Sequence, residues 1–283
     1  MLLITQPDEG VAPLIKAIER AKKGADIVIF RFDIDAIEQA LTAAVKRGVV
    51  VRALIAHTNR GGESKLRKLE SRLLEAGATL SRTADDMVRY HGKLLVTDRQ
   101  KAFVLGFNYT RQDIEKSRSF GLVTRNPKIV RDILNVIDAD HNRVDPKISS
   151  TRVVVSPENA RQRLADFIGR AKRELLIYDG GLTDDKIIAL LKQKAEAGVK
   201  IKVLGSVEKK WAGELAWQVR AFKTMKMHVR CIVRDRQAAF VGSQSLRKLE
   251  LDQRREVGLI TKDRRTAAQI GRVFDADWKA NRG

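Results

Sequence analysis

The decisive stretch reads His91-Gly92-Lys93-Leu94-Leu95-Val96-Thr97-Asp98-Arg99-Gln100. It returns as His228-Val229-Arg230-Cys231-Ile232-Val233-Arg234-Asp235-Arg236-Gln237. Each copy sets a His, a cation two residues on, and an Asp beyond a run of mostly apolar residues. The chain has 4 histidines, and two of them occupy matched points of this repeat. Two imidazoles flanked by fixed cations are the groups that an in-line displacement at a phosphodiester requires.

Working outward, the offset of 137 residues between the copies also relates Gly121 to Gly258 and Asp138 to Asp275. Upstream the offset is 150, relating Pro7 to Pro157, Ala21 to Ala171 and Gly48 to Gly198. One deletion of 13 residues in the second half, between Gly205 and His228, reconciles the two registers. A tandem duplication of whole domains is the simplest account, because solenoid units are far shorter. With 283 residues, each half is long enough to bury its own core.

Within the first half, periodicity predicts strands at 2–5, 27–32, 49–56, 93–97, 102–105 and 120–124. It predicts helices at 11–23 and 34–47, the latter stopped by Gly48, and at 63–76 after the Gly61-Gly62 break. Strands alternating with helices imply an α/β fold, with duplicated domains that are each a mostly parallel mixed sheet flanked by helices. The polar segment 145–150, which contains Pro146, is the expected boundary between domains 1–147 and 148–283.

Composition narrows the partners. A net charge of +20 and a pI near 10.3 favour polyanions: nucleic acid, anionic membrane surfaces or phosphorylated substrates. The plainer alternative is a generically basic surface with no specific partner. Aromatics make up only 5% and do not interleave with the basic runs, which weakens both a base-stacking platform and a lipid-interface belt. No window is apolar for long enough to form a transmembrane segment. The opening residues 1–5 are too short for a signal-peptide core, so a cytoplasmic location is expected, or a secreted one had a leader been removed. Cys231 is the only cysteine, which excludes an intrachain disulfide and suits a buried, inert thiol.

In His91-Gly92-Lys93 and His228-Val229-Arg230, a strand would send His and cation out of one face as a compact anion-binding group. One His-x-Lys would mean little, since exposed strands produce it by chance; two copies in one register mean much more. Lys and Arg beside both histidines would repel a divalent cation, and no Asp/Glu cluster sits at ligand spacing, so neither metal nor other cofactor is expected. Asp98 and Asp235 open turns, where a carboxylate commonly accepts from backbone N–H groups, so a structural role is expected for both. His57 ends a predicted strand and could reach a site mouth. His141 stands in register with Trp278 and reads as helix packing. Trp211 and Trp217 lie in an amphipathic segment that replaces a longer one in the first half, and core packing is favoured over substrate contact.

The duplicated motif resembles that of the phospholipase D superfamily, whose signature H-x-K-x4-D-x6-G-S-x-N usually occurs twice per active unit. The resemblance covers essentially the whole chain. It implies two α/β domains related by a pseudo-two-fold, with one active site at their interface and activity as a monomer. His91, Lys93 and Asp98 match the first motif, followed by Leu105-Gly106-Phe107-Asn108, where Asn108 is in place and Gly106 stands in the serine slot. His228 and Asp235 match the second, with Arg230 for the Lys, and Gly242-Ser243-Gln244-Ser245 ends in Ser instead of Asn. Arg keeps the charge and can grip two phosphate oxygens, though with a different geometry.

The resemblance further implies a metal-independent phosphodiesterase that works through a phosphohistidine. One imidazole attacks phosphorus and the other protonates the leaving alkoxide. Lys93, Asn108, Arg230, Ser243 and Ser245 would bind the phosphate oxygens. A downstream carboxylate orients the His of the opposite half. Glu256, 28 residues after His228, takes that place, whereas its counterpart in the first copy is Ser119. This makes His91 the expected nucleophile, oriented by Glu256, and His228 the general acid, left with only the Ser119 hydroxyl. Phospholipid head groups are the favoured substrates for hydrolysis or transfer, and a nuclease is the runner-up. A nucleic-acid-binding protein with a degraded site is the third reading, motivated by Leu105, Gly106, Ser119, Arg230 and Ser245.

Overall fold

The computed structural model describes residues 1–59, 62–214 and 217–282; Gly61 of the anticipated Gly61-Gly62 break lies outside them. The first half begins β1 (Leu2–Gln6), α1 (Ala12–Glu19), β2 (Gly24–Ile29), α2 (Asp35–Lys46) and β3 (Val50–Ile55). It continues α3 (Glu63–Glu75), β4 (Thr79–Arg82), β5 (Arg89–Tyr90), β6 (Leu94–Thr97) and β7 (Lys101–Leu105), then α4 (Arg111–Glu115), β8 (Ser117–Thr124) and α5 (Pro127–Asn142). The second half repeats the order with β9 (Val153–Ser156), α6 (Ala160–Gly169), β10 (Glu174–Leu182), α7 (Asp185–Glu196) and β11 (Lys200–Val207). A short 3-10 turn (Lys209–Glu214) precedes β12 (Gln218–Arg220), β13 (Lys226–Met227), β14 (Cys231–Arg234) and β15 (Ala238–Gly242). The chain closes with α8 (Lys248–Asp252), β16 (Arg254–Thr261) and α9 (Arg264–Ala280).

Local chemistry sets these elements. In α2 the buried residues Ile37, Ala40, Leu41 and Ala44 recur at helical spacing, and Gly48 takes φ +82° just past the helix end. Its copy α7 buries Ile187, Ile188 and Leu191, with Gly198 at φ +84°. The 13-residue deletion falls where the 3-10 turn stands in place of α3. Trp217 is buried in the core of the second half and Trp211 packs partly buried against it, in line with the packing role expected for both.

Each half is an α/β layer built on a mixed sheet. The first sheet runs β1-β8-β7-β6-β2-β3-β4 and the second β12-β11-β10-β14-β15-β16, with β9 also pairing β16. Parallel pairing follows the helical crossovers, as in β2–β3 and β3–β4, and likewise β10–β11. Pairing is antiparallel from β2 through β6, β7 and β8 to β1, so the mixed character is stronger than the alternation of strands and helices suggests. The cause is the tight Asp-Arg turn. Asp98 and Arg99 both sit at φ +53°, and Asp235 and Arg236 at +53° and +55°, the two-residue geometry that folds a chain straight back as a hairpin.

Three apolar layers result. Helices α1–α3 cover the outer face of the first sheet, and α6 and α7 cover that of the second. Between the sheets, α5 and α9 share one core with the inner faces of both. Strands β6 and β8 are therefore buried along their whole length.

Two short strands cross over. β5, from the first half, pairs with β16 of the second; β13, from the second, pairs with β8 of the first. Buried ion pairs cross at the same places: Arg118 with Asp277 at 2.9 Å, and Arg255 with Asp140 at 2.9 Å. Arg118 also donates to the Gln6 carbonyl and Arg255 to the Ser156 carbonyl, so the arrangement repeats with the duplication.

Candidate active site

The crossing strands deliver the histidines. His91 follows β5 and His228 follows β13, each in the short link, outside any strand, that leads from the opposite sheet back into its own. The His-x-cation triplets are thus not interior strand residues, which corrects the expectation of one shared strand face. Backbone bonds anchor both links: His91 N–H donates to the Arg255 carbonyl at 2.7 Å, and His228 N–H to the Arg118 carbonyl at 3.1 Å.

His91 is 7% exposed, and its Nδ1 lies 2.8 Å from Oε2 of the fully buried Glu256. A carboxylate accepts, so Nδ1 carries the proton and Nε2 keeps its lone pair. Phe30 and the imidazole pack as a T-shaped pair with ring centres 4.5 Å apart. Burial drives the His91 imidazole well below the ordinary histidine range, assisted by the Lys93 and Arg230 charges. Burial also raises the Glu256 carboxyl, against the pull of Lys93, Ser243 and Arg230.

His228 has no carboxylate on Nδ1. It meets the Gly106 carbonyl at 2.9 Å, and since a carbonyl only accepts, Nδ1 again donates. Ser119, expected to serve the ring, instead donates its hydroxyl to the His228 backbone carbonyl at 3.3 Å. Nε2 faces Oδ2 of Asp113 and Nδ2 of Asn108, each at 3.5 Å. Burial and Arg230 lower this imidazole strongly, while Asp113 opposes them.

The cations are placed alike. Lys93 is 1% exposed and donates to the His91 carbonyl at 2.7 Å; Arg230 donates to the His228 carbonyl at 3.3 Å. Burial depresses the Lys93 ammonium to about 7, with Glu256 pulling the other way. Both cations depress both imidazoles, and His91 itself depresses His228, so the four groups form one electrostatic cluster.

The remaining candidates divide. Asn108 joins the cluster: Asp113 accepts from its backbone N–H at 3.0 Å and from its Nδ2 at 2.7 Å, while its buried Oδ1 has no partner among the described residues. Ser245 occupies the matching place, its N–H bonded to Glu250 at 2.7 Å. The Ser243 hydroxyl is engaged with the Val257 backbone, accepting from N–H at 3.1 Å. A serine in the Gly106 slot has no room, since a Cβ there would lie 2.9 Å from the Phe120 carbonyl and 3.2 Å from that of Gly242.

Asp98 and Asp235 lie away from the cluster. Asp98 accepts from the backbone N–H groups of Lys22, Lys23 and Gly24, and Asp235 from those of Lys172, Arg173 and Glu174. These partners are distant in sequence rather than neighbours in the same turn. Cys231 is buried in β14, and burial raises its thiol. His57 is exposed, with its N–H on the Thr83 hydroxyl. His141 lies half-buried on α5. Sequence reasoning missed Asp113, although the 137-residue register pairs it with another acid, Glu250, at the same point of each copy.

A cleft of about 340 Å³ opens beside His228, Asn108 and Asp113, and its other walls include Arg31, Lys65 and Lys226. Among the described residues no helix is long and apolar enough to cross a membrane.

No curated protein matches the chain in sequence. Among solved structures it is similar to a polyphosphate kinase from Porphyromonas gingivalis, with a TM-score of 0.81 at 18% identity over 98% of this chain. The chain spans 50% of that kinase's length. It is also similar to a phosphatidylserine synthase from Haemophilus influenzae Rd KW20, with a TM-score of 0.74 at 12% identity over 99% of this chain and 86% of that one. At such identities the likeness concerns the fold. A family model described as "Cardiolipin synthase, PLD-like domain" matches residues 14–141 and 164–278, most of both halves, and the chain belongs to that family.

Proposed function

We propose that the protein is a phosphodiesterase of the phospholipase D type, acting by hydrolysis or transfer through a phosphohistidine. One observation carries the reading: both imidazoles spend Nδ1–H on an acceptor, which leaves Nε2 as the nitrogen for chemistry, inside one cluster charged by Lys93 and Arg230. In this reading the units 1–147 and 148–283 each supply one imidazole.

Nε2 of His91 forms a bond to phosphorus as the bond to the leaving oxygen breaks, and Nε2–H of the protonated His228 delivers a proton to that oxygen. Water or an alcohol then gives its proton to His228 and displaces His91 from phosphorus. Glu256 stabilises the positive ring that phosphorylation of His91 creates. Lys93, Arg230, Asn108 and Ser245 bind the phosphate oxygens, while Ser243 positions Glu256. The bound phosphodiester is itself an anion and raises the affinity of His228 for its proton.

The substrate class is a phosphodiester, with phospholipid head groups favoured. The cations along the cleft beside His228 favour a nucleic acid as the second reading. Release of nitrophenol from bis(p-nitrophenyl) phosphate in EDTA tests for the activity. Quenching in alkaline denaturant, where a phosphohistidine survives, should trap a radiolabelled phosphoenzyme in the wild type and in His228→Ala, and none in His91→Ala. A label that survives His91→Ala exchanges the two roles, and the absence of turnover by the wild type on this ester, phosphatidylglycerol, phosphatidylcholine and plasmid DNA refutes the reading.

A further inference from the structure

The duplicated sheets have two ends, and the site uses one. β6 runs away from Lys93 to the Asp98-Arg99 turn and β7 returns to Gly106, so that turn lies roughly 15–20 Å from the histidines by strand geometry. The second half repeats this with the Asp235-Arg236 turn. At this far end the surface is a chain of connected hollows. One of about 540 Å³ shares Arg125 and Gln100 with a small one of about 90 Å³. Arg125 and Lys101 continue into another of about 620 Å³, which shares Arg152 and Lys262 with a fourth of about 160 Å³. The track thus passes from the first half to the second without a break.

Its charge is predominantly positive. Arg125, Arg131 and Lys262 are exposed and form no ion pair among the described residues. The carboxylates along the track are Asp98, Asp166 and Asp263, and each is occupied. Asp98 holds three backbone N–H groups, Asp166 accepts from Gln162, and Asp263 binds Thr266 and the terminal amine. The cations repel one another: Lys101 is held below the usual lysine range by burial and by Arg125 and Arg20. The duplication keeps the pattern, since Arg20 corresponds to Arg170 and Arg125 to Lys262.

We propose that this far-end track is a second binding surface, distinct from the active site, that holds the phosphate backbone of a nucleic-acid duplex. Connected hollows that carry the unpaired Arg125, Arg131 and Lys262 suit a chain of phosphates better than a flat lipid surface, and arginines grip phosphate oxygens in pairs. The one ring along it, Phe167, is buried beneath the guanidinium of Arg234 at 4.6 Å, so base stacking plays no part and a duplex fits better than a single strand.

The test is binding of a fluorescent 20-base-pair duplex to the full chain across a salt series. Arg125→Gln/Arg131→Gln/Lys262→Gln is compared with a charge-matched control, Lys68→Gln/Lys186→Gln/Lys209→Gln, on other surfaces. The track variant should weaken binding at least about tenfold and flatten the log–log salt slope by about two to three, at roughly 0.9 per lost phosphate contact. The control should change neither quantity by as much. Hydrolysis of bis(p-nitrophenyl) phosphate should be the same in wild type and track variant, so the outcome is independent of the proposed activity. Equal loss in both triples, an unchanged track variant, or no duplex binding by the wild type at low salt overturns the proposal. So does a track variant that loses phosphatidylglycerol vesicles while keeping the duplex.

Discussion

Glu256 Oε2 lies 2.8 Å from Nδ1 of His91, a residue contributed by the opposite half of the duplication, whereas the corresponding place at His228 is filled by the Gly106 carbonyl. The two imidazoles therefore differ in one charge. A carboxylate stabilises a permanently cationic, phosphorylated ring, and a neutral carbonyl does so far less. The asymmetry motivates the assignment of His91 as nucleophile.

Glu256→Gln preserves size and a hydrogen-bond acceptor but removes that charge. Turnover of bis(p-nitrophenyl) phosphate should fall by about 10²-fold with KM little changed. Steady-state kinetics check it, and a wild-type kcat would show that Glu256 does not act on the reacting imidazole.

The pH profile should have its optimum on the acid side of the ordinary histidine value. His91 must be neutral to attack, and its strongly depressed proton affinity keeps it so in mild acid. His228 must carry a proton, and Lys93, near 7, must stay charged, so activity should decline as pH rises through neutrality. An optimum above pH 8 would contradict this.

Neighbouring charges should move the alkaline limb in opposite directions. Arg230 lowers His228 and Asp113 raises it. Arg230→Gln should shift the limb to higher pH while reducing the rate at every pH. Asp113→Asn should shift it to lower pH. Profiles of kcat for the two variants, with shifts of the same sign, would remove His228 from the role of acid.

Asp277→Ala should cost about 3 kcal/mol, because it leaves the buried Arg118 guanidinium with only the more distant Asp8 carboxylate and the Gln6 carbonyl, and the Tyr178 hydroxyl without its partner. Urea unfolding measures it. A loss under 1 kcal/mol would mean that water replaces the carboxylate.

Gly106→Ser would complete the motif on paper. The Cβ has no space between the Phe120 and Gly242 carbonyls, and the backbone that must shift carries the acceptor of His228. The variant should lose about 1–3 kcal/mol by overpacking and should also lose activity. A more active, equally stable protein would refute this.

Much of the fold was legible in the chain because duplication printed it twice. The register placed both histidines, both turn aspartates and the deletion that replaces α3, and helical spacing located α2 to within a residue at each end. Strand 27–32 was anticipated three residues late: β2 is Gly24–Ile29, because its start is set by the remote Asp98 carboxylate rather than by its own apolar run. The placement of His91 between two strands was illegible, since β5 has its partner in the other half and two residues carry no periodicity. Asp113 was missed because a buried acid on a five-residue helix resembles any other surface acid in one dimension. The crossed contact of Glu256 with His91 followed from the family resemblance, while no residue pattern pointed to the carbonyl that serves His228.

The exchanged strands β5 and β13 tie the two-histidine cluster to the docking of both halves. Each half lends the other the very segment that ends in its own histidine, so neither can finish its sheet alone. An excised half would expose a bare strand edge together with a dangling imidazole, and its easiest remedy is to trade segments with a twin. On the proposed reading, the two imidazoles meet only where both halves have docked.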